Sequence, residues 1–277
     1  MKHFLWAFIL VLISTLVFSG EPDKKLHEMG LYPTVKLTFQ ACECAECMAN
    51  PEESQAIGSG VIIRSEKSKG PIFKDKYINT ILTAAHNIEH INPPLKIHVG
   101  KYKDWSELEG FNVYEGIVYA KNTTLDIAII LFVTDEKMIV AKLDVDKKLY
   151  LGEAVIRFGF GMGDDIRFDE GKITGVKTIL PKSMAGMVRM NAHTIVGDSG
   201  GPVYDSDYNV IGITHAIRVN GMNLLTEQSY FSPTRNYKIW NEASNNSIGF
   251  VYKAEKMPNS SLFELWLSEH QIIGVKK

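Results

Sequence analysis

Residues 197–219 read GDSGGPVYDSDYNVIGITHAIRV. Ser199 stands among glycines, which let the backbone turn sharply and aim successive N–H groups at one point. Pro202 follows at once, and the residues after it are rich in Val, Ile, Tyr and Thr, so the stretch reads as strand and not as helix. A serine on a tight turn followed by strand points to an all-β fold. The segments upstream agree. PTVKLTF (33–39), GSGVIIRS (58–65), INTILTAA (78–85), LKIHVGKY (95–102), FNVYEGIVYA (111–120), DIAIILFV (126–133), EAVIRFGF (153–160) and GKITGVKTIL (171–180) are short β-rich runs punctuated by Gly, Asn and Asp, and SIGFVYK (247–253) adds one downstream. This is the pattern of a sandwich or barrel. No 3.6-residue periodicity longer than two turns interrupts Pro33–Val219, which counts against crossover helices.

The tail changes character. Ser232–Pro233 reads as an N-cap with proline at the first helical position, and Ser261 with Glu264 reads as a capping box ahead of LFELWLSEHQII. Residues 232–277 are thus expected as a helical extension packed on the barrel, after a domain spanning 33–231. Residues 20–32 read as a polar linker.

The chain has 277 residues, a net charge of −2 and 45 % apolar residues. That excludes a disordered chain, and without a basic block there is no footprint for nucleic acid. At the N-terminus, Lys2 and His3 precede an uncharged run from Phe4 to Phe18, too short for an ordinary span. With Val17 and Ser19 at −3 and −1, residues 1–19 read as a signal peptide cut after Ser19, a membrane anchor being the alternative. The protein is therefore expected to be exported, to the periplasm or the extracellular space, and any membrane association to run through this segment alone.

A serine hydroxyl needs a base to become a nucleophile. His86, in LTAAHN at the end of an apolar strand, is the candidate. Asp126, in TLDIAII, is the candidate carboxylate to orient it, and a buried carboxylate there must be hydrogen-bonded. The order His86, Asp126, Ser199 differs from the Ser-Asp-His order of α/β-hydrolases, which also require a helix after the serine.

With these motifs in this order, the sequence resembles the trypsin-like (chymotrypsin-fold) serine peptidases. Within them it is similar to the bacterial HtrA/Deg-like branch, through GSGVII (58–63) before TAAHNI, LGEAVIRFGFGMG…GKITGV (151–176) and GITHAI (212–217). The likeness covers about residues 33–219. It implies two six-stranded β-barrels packed face to face, with His86 and Asp126 from the first and Ser199 from the second. It also implies an oxyanion hole from the N–H groups of Gly197 and Ser199. The expected activity is hydrolysis of peptide bonds in polypeptide substrates through an acyl-enzyme, with no cofactor and no metal. A catalytically silent, protease-shaped binding or chaperone module is the alternative.

Three departures from the family pattern stand out. About 58 residues follow Val219, too few for a PDZ domain and its connection. Asn87 replaces the cysteine that many animal enzymes carry after the histidine. No I/V-V-G-G activation sequence precedes the barrels, so Asp198 is expected to find a partner other than a freed N-terminus, or solvent. The specificity pocket is expected to be framed by His193, Thr194, Thr214, His215 and Ala216. The absence of Asp six residues before Ser199, where His193 stands, disfavours a Lys/Arg preference. Either Thr194, Thr214 and His193 bind an acidic or amide side chain, or the pocket is small and apolar. Strand alternation turns His215 toward the carboxylate of Asp126 and away from the pocket.

Cys42, Cys44 and Cys47 lie within six residues. A local disulfide, a metal site completed by His27, Glu43 or Glu46, and inert or intermolecular thiols all fit that spacing. His90 and His98 read as satisfied single histidines, Asp164–Asp165 with Asp169–Glu170 as a solvated acidic turn, and MAGMVRM (184–190) as a mobile loop or strand near the cleft.

Overall fold

The computed structural model describes residues 24–40, 55–71, 73–88, 92–103, 107–163, 165–177, 186–220 and 223–246. Strands β1 (Thr34–Gln40), β2 (Gln55–Lys67), β3 (Tyr77–Thr83), β4 (Asn92–Lys103), β5 (Glu107–Asn122) and β6 (Ile127–Thr134) close into an antiparallel barrel in the order β1-β2-β3-β6-β5-β4. The second half contains β7 (Lys142–Leu143), β8 (Ala154–Gly159), β9 (Arg167–Gly175), β10 (Val188–Met190), β11 (Pro202–Tyr204), β12 (Asn209–Asn220) and β13 (Asn223–Pro233). They run β11-β8-β9-β10-β13-β12-β7, and an added β11–β12 pairing returns the sheet on itself, leaving β7 as a short parallel appendage. The architecture is the double β-barrel expected from the sequence.

Alternation explains how the barrels meet. Side chains of a strand point to opposite faces. On β2, β3 and β6, Ile62, Ile81, Ala128, Ile130 and Phe132 fill the first barrel. Their neighbours Val61, Leu82 and Ile127 face outward, where they pack on Phe158, Tyr204, Val210 and Ile213 of the second barrel. That is why IAIILFVT is apolar at nearly every position. Each such side chain contributes about 1.5–3 kcal/mol when fully buried, so the seam holds the two barrels in fixed register. Val155, Ile173, Val188, Met190, Val203 and Phe231 fill the second barrel.

The structure corrects several expectations. Residues 24–31 are not linker. A short helix α1 (Lys24–Leu26) continues through a π-turn, His27–Leu31. Leu26, Met29 and Leu31 pack into the seam, an apolar spacing hidden among polar neighbours. Helix α2 (Thr234–Asn246) forms as expected and docks Tyr237 and Trp240 on the same seam. However, β13 extends to Pro233, so Ser232 is a strand residue and not an N-cap. Its hydroxyl donates to the Leu125 carbonyl at 2.8 Å. In MAGMVRM, Met187, Val188 and Met190 are buried core, not cleft, because β10 pairs with both β9 and β13. Asp169 and Glu170 sit on β9, not in a turn. The cysteine cluster, Asp164, the 247–253 strand and the 261–272 helix lie outside the described residues, as does the apolar N-terminal run. Among the described residues no helix is long and apolar enough to cross a membrane.

Candidate active site

His86 lies on a 3₁₀ turn, Ala85–Ile88, that follows β3. Asp126 immediately precedes β6, in a tight turn with the left-handed φ of 51° that aspartate tolerates better than most residues. The turn is anchored on both sides of Leu125. Its N–H donates to Asn122 Oδ1 at 3.0 Å and its carbonyl accepts from Ser232. β3 and β6 are hydrogen-bonded neighbours, so the two turns emerge side by side. His86 donates to Asp126 twice: its backbone N–H reaches Oδ1 at 2.9 Å, and Nδ1 lies 2.9 Å from Oδ2 and 3.1 Å from Oδ1. A carboxylate accepts only, so the proton is assigned to Nδ1, and Nε2 is left as the basic nitrogen.

Asp126 has a second ring partner. His215, on β12, also places Nδ1 against Oδ2. Burial alone would push the Asp126 carboxyl up. The hydrogen bonds from His215 and His86 outweigh that and hold it well below the usual carboxylate range, so it is ionised at neutral pH.

The Ser199 loop comes from the second barrel but is clamped by the first. Ser59 N–H and Asn87 Nδ2 both donate to the Ser199 carbonyl at 2.8 Å. Ser59 Oγ donates to the Gly197 carbonyl at 2.7 Å and accepts from Phe160 N–H at 2.9 Å. Asn87 fills the space beside Gly58, where a Cβ would fall 2.6 Å from its Nδ2. An amide thus occupies the place where the animal enzymes carry cysteine, and it binds the nucleophile loop directly. Gly200 has φ 86°, and a Cβ there would lie 2.2 Å from both the Ser59 carbonyl and Thr83 Oγ1, so only glycine fits. The Ser199 hydroxyl donates to the His215 carbonyl at 3.0 Å.

The Val196 carbonyl is held by Met162 N–H at 2.7 Å. In a trans peptide the N–H points opposite the C=O, so Gly197 N–H points away from Met162. Among the described residues neither Gly197 N–H nor Ser199 N–H donates to a backbone carbonyl.

Asp198 is fully buried. It meets the equally buried Arg157 of β8 at 2.8 Å, off the line of a well-directed hydrogen bond, and Arg167 of β9 at 3.2 Å. Its Oδ2 also accepts from Ile195 N–H at 2.8 Å. The partners of Asp198 are therefore two arginines of the same chain, Arg157 and Arg167.

Of the candidate pocket residues, Thr194 and Thr214 are buried, and among the described residues Thr214 Oγ1 has no hydrogen-bond partner. Ala216 lies on β12 opposite Tyr230. His193 is not inside. It is exposed, with Nδ1 3.3 Å from Arg167 and its N–H on the Asp169 carboxylate, because β9 carries both charged partners on that side. His215 also leaves the pocket set, because its ring is held against the Asp126 carboxylate. Sequence reasoning missed Arg157, Arg167 and Ser59. Arg157 had a signal, since a cation inside AVIRFGF has to find an acid once that strand is buried.

Residues 58–213 match the family described as trypsin-like peptidase domain. A putative serine protease, HhoB, from Synechocystis sp. (strain ATCC 27184 / PCC 6803 / Kazusa) is 28 % identical over 185 residues, covering 65 % of this chain and 39 % of that protein. This chain thus spans about two fifths of that relative's length. An HtrA-type protease, AlgW, solved with a tripeptide, shares the fold with a TM-score of 0.60 at 16 % identity, covering 80 % of this chain and 64 % of that one. The double barrel and the match through more than half of its length place this protein in the trypsin-like peptidase family.

Proposed function

We propose that the protein is an exported serine endopeptidase in which Ser199 attacks the scissile carbonyl, His86 is the base and Asp126 supports the imidazolium. The observation that carries this reading is the fixed His86–Asp126 pair, with Asn87, the residue next to that imidazole, gripping the Ser199 loop. For reaction the Ser199 hydroxyl leaves the His215 carbonyl, to which it donates at 3.0 Å, and donates to His86 Nε2 instead. His86 takes the hydroxyl proton as Oγ bonds to carbon, and Gly197 and Ser199 N–H stabilise the oxyanion. His86 then gives the proton to the departing amine. Water repeats the sequence on the acyl-enzyme. Losing one oxyanion donor typically costs about 10²–10³ in rate.

The strand 214–217 is the edge to which substrate backbone adds. Thr214 itself is closed, since its N–H donates to the Gly201 carbonyl and its C=O accepts from Gly200 N–H, both at 2.8 Å, so the addition begins at His215. With His193 turned outward and Thr194 and Thr214 lining the interior, the pocket suits a small uncharged side chain. Exposed Val196 and Met162 form an apolar rim beside Gly197. The apolar run Phe4–Phe18 supports export.

The test is labelling with a fluorophosphonate. Stoichiometric modification at Ser199, abolished in Ser199→Ala without a change in circular dichroism, is expected. Modification at another serine, or none, overturns the reading and favours a silent module.

A further inference from the structure

Asp126 accepts hydrogen bonds from two imidazoles, and the reaction above uses one. His86 and His215 place their Nδ1 atoms on the same oxygen, Oδ2, and their rings stand edge to face with centroids 5.3 Å apart. An ionised carboxylate has no proton to give, so both rings carry theirs on Nδ1. The His215 side chain is 16 % exposed and that of Asp126 6 %, so this bond forms largely out of water, where electrostatic attraction is stronger. The main chain of the same residue holds the nucleophile, since the His215 carbonyl accepts from Ser199 Oγ at 3.0 Å. One residue thus touches the carboxylate with its side chain and the serine with its backbone.

We infer that His215 is a positioning residue whose Nδ1–H locks the Asp126 carboxylate in the plane that meets His86. This rests on the peptidase reading of the site. An aspartate carboxylate turns easily about its last torsion, because that rotation has broad minima. Here both oxygens are pinned: Oδ1 by the His86 backbone N–H and Oδ2 by His215. His86 Nδ1 therefore meets an acceptor that need not reorient when the ring becomes an imidazolium. Such preorganisation acts on the chemical step and not on substrate binding. The pairing of β12 with β13 shifts register between Thr214, which is buried, and Ala216, so His215 stands at a bulge, a device that re-aims a side chain.

Two variants separate positioning from packing. His215→Asn keeps an N–H at the place of Nδ1, whereas His215→Phe keeps the ring and removes the donor. With a fluorophosphonate, the maximal labelling rate at Ser199 should fall about 10- to 100-fold in His215→Phe, the loss expected for one hydrogen bond to a charged group. Half-saturating probe concentration should stay nearly unchanged, and His215→Asn should recover most of the rate. In ¹⁵N-labelled Ser199→Ala protein, which retains both rings, two low-field Nδ1–H protons should be seen. The same background with His215→Asn should show one. The inference is overturned by wild-type labelling in His215→Phe, by equal losses in the two variants, by an effect confined to probe affinity, or by a single low-field proton in Ser199→Ala. The NMR arm does not require His215→Phe to fold. If wild-type protein is not labelled at Ser199, the peptidase reading fails, and the proton count still decides whether His215 holds the carboxylate.

Discussion

Arg157 and Asp198 meet at 2.8 Å with neither side chain exposed to solvent. Asp198 adjoins Ser199, and its Oδ2 holds the Ile195 N–H, so this ion pair shapes the turn that presents the nucleophile and Gly197. In zymogen-activated relatives a freed N-terminus fills that role. Here a strand residue of β8 supplies the cation within the folded chain.

Removing the cation alone should therefore be costly. Arg157→Met leaves a buried carboxylate with Arg167 as its remaining cationic partner, and a loss of about 3 kcal/mol is expected. Labelling at Ser199 should fall with it. Arg157→Met combined with Asp198→Asn removes both charges and should recover part of the stability. Urea unfolding of the two single variants and the double variant measures the coupling directly.

The same pair predicts activity without nicking. Protein beginning at Gly20, with the remaining chain intact, should react with a fluorophosphonate at full stoichiometry. Intact mass before and after labelling checks this. Reaction only after cleavage between residues 30 and 57 would show that a new N-terminus is needed.

Gly200→Ala should disable the site. The left-handed φ and the approach of a Cβ to 2.2 Å from the Ser59 carbonyl leave no relaxed conformation. Strain of about 1–3 kcal/mol is expected, with labelling at Ser199 reduced at least tenfold while the double-barrel circular dichroism persists. Unchanged labelling kinetics would mean that the Ser59 clamp on the loop is dispensable.

His98, on β4, makes stability pH-dependent. Burial, with Lys36 and Lys96 nearby, lowers its pKa from 6.5 to about 4. Its ring lies 2.9 Å from Thr38 Oγ1 and edge-on to Phe111. Between these two pH values the unfolded chain binds a proton that the folded chain refuses, so this contribution is complete above pH 6.5 and declines as pH falls toward 4. The ring is half exposed, so solvent screens the effect. His98→Gln should narrow the gap between the melting temperatures at pH 7 and pH 5. An identical gap would assign the acid sensitivity elsewhere.

Much of the fold was legible because strand patterning is local. Nearly every strand through β12 can be read as a short run of β-branched and aromatic residues, and the doubly apolar IAIILFVT already implied burial on both faces. β13 was missed because NLLTEQSYFSP mixes polar residues into a strand whose place is fixed by pairing with β12 and β10. The 24–31 segment was misread for the same reason: Leu26, Met29 and Leu31 show their purpose only against Phe158 and Tyr204.

From the sequence alone came the candidate nucleophile, base and carboxylate, and the all-β class. These depend on residue chemistry and on a two-residue repeat, both carried by neighbouring positions. Only the tertiary structure decided that Asp126 serves two imidazoles, that Arg157 neutralises Asp198, and that Asn87 grips the Ser199 loop from 112 residues away. Such contacts depend on how two closed sheets are set against each other. That is fixed by packing across the seam, and no local periodicity encodes it.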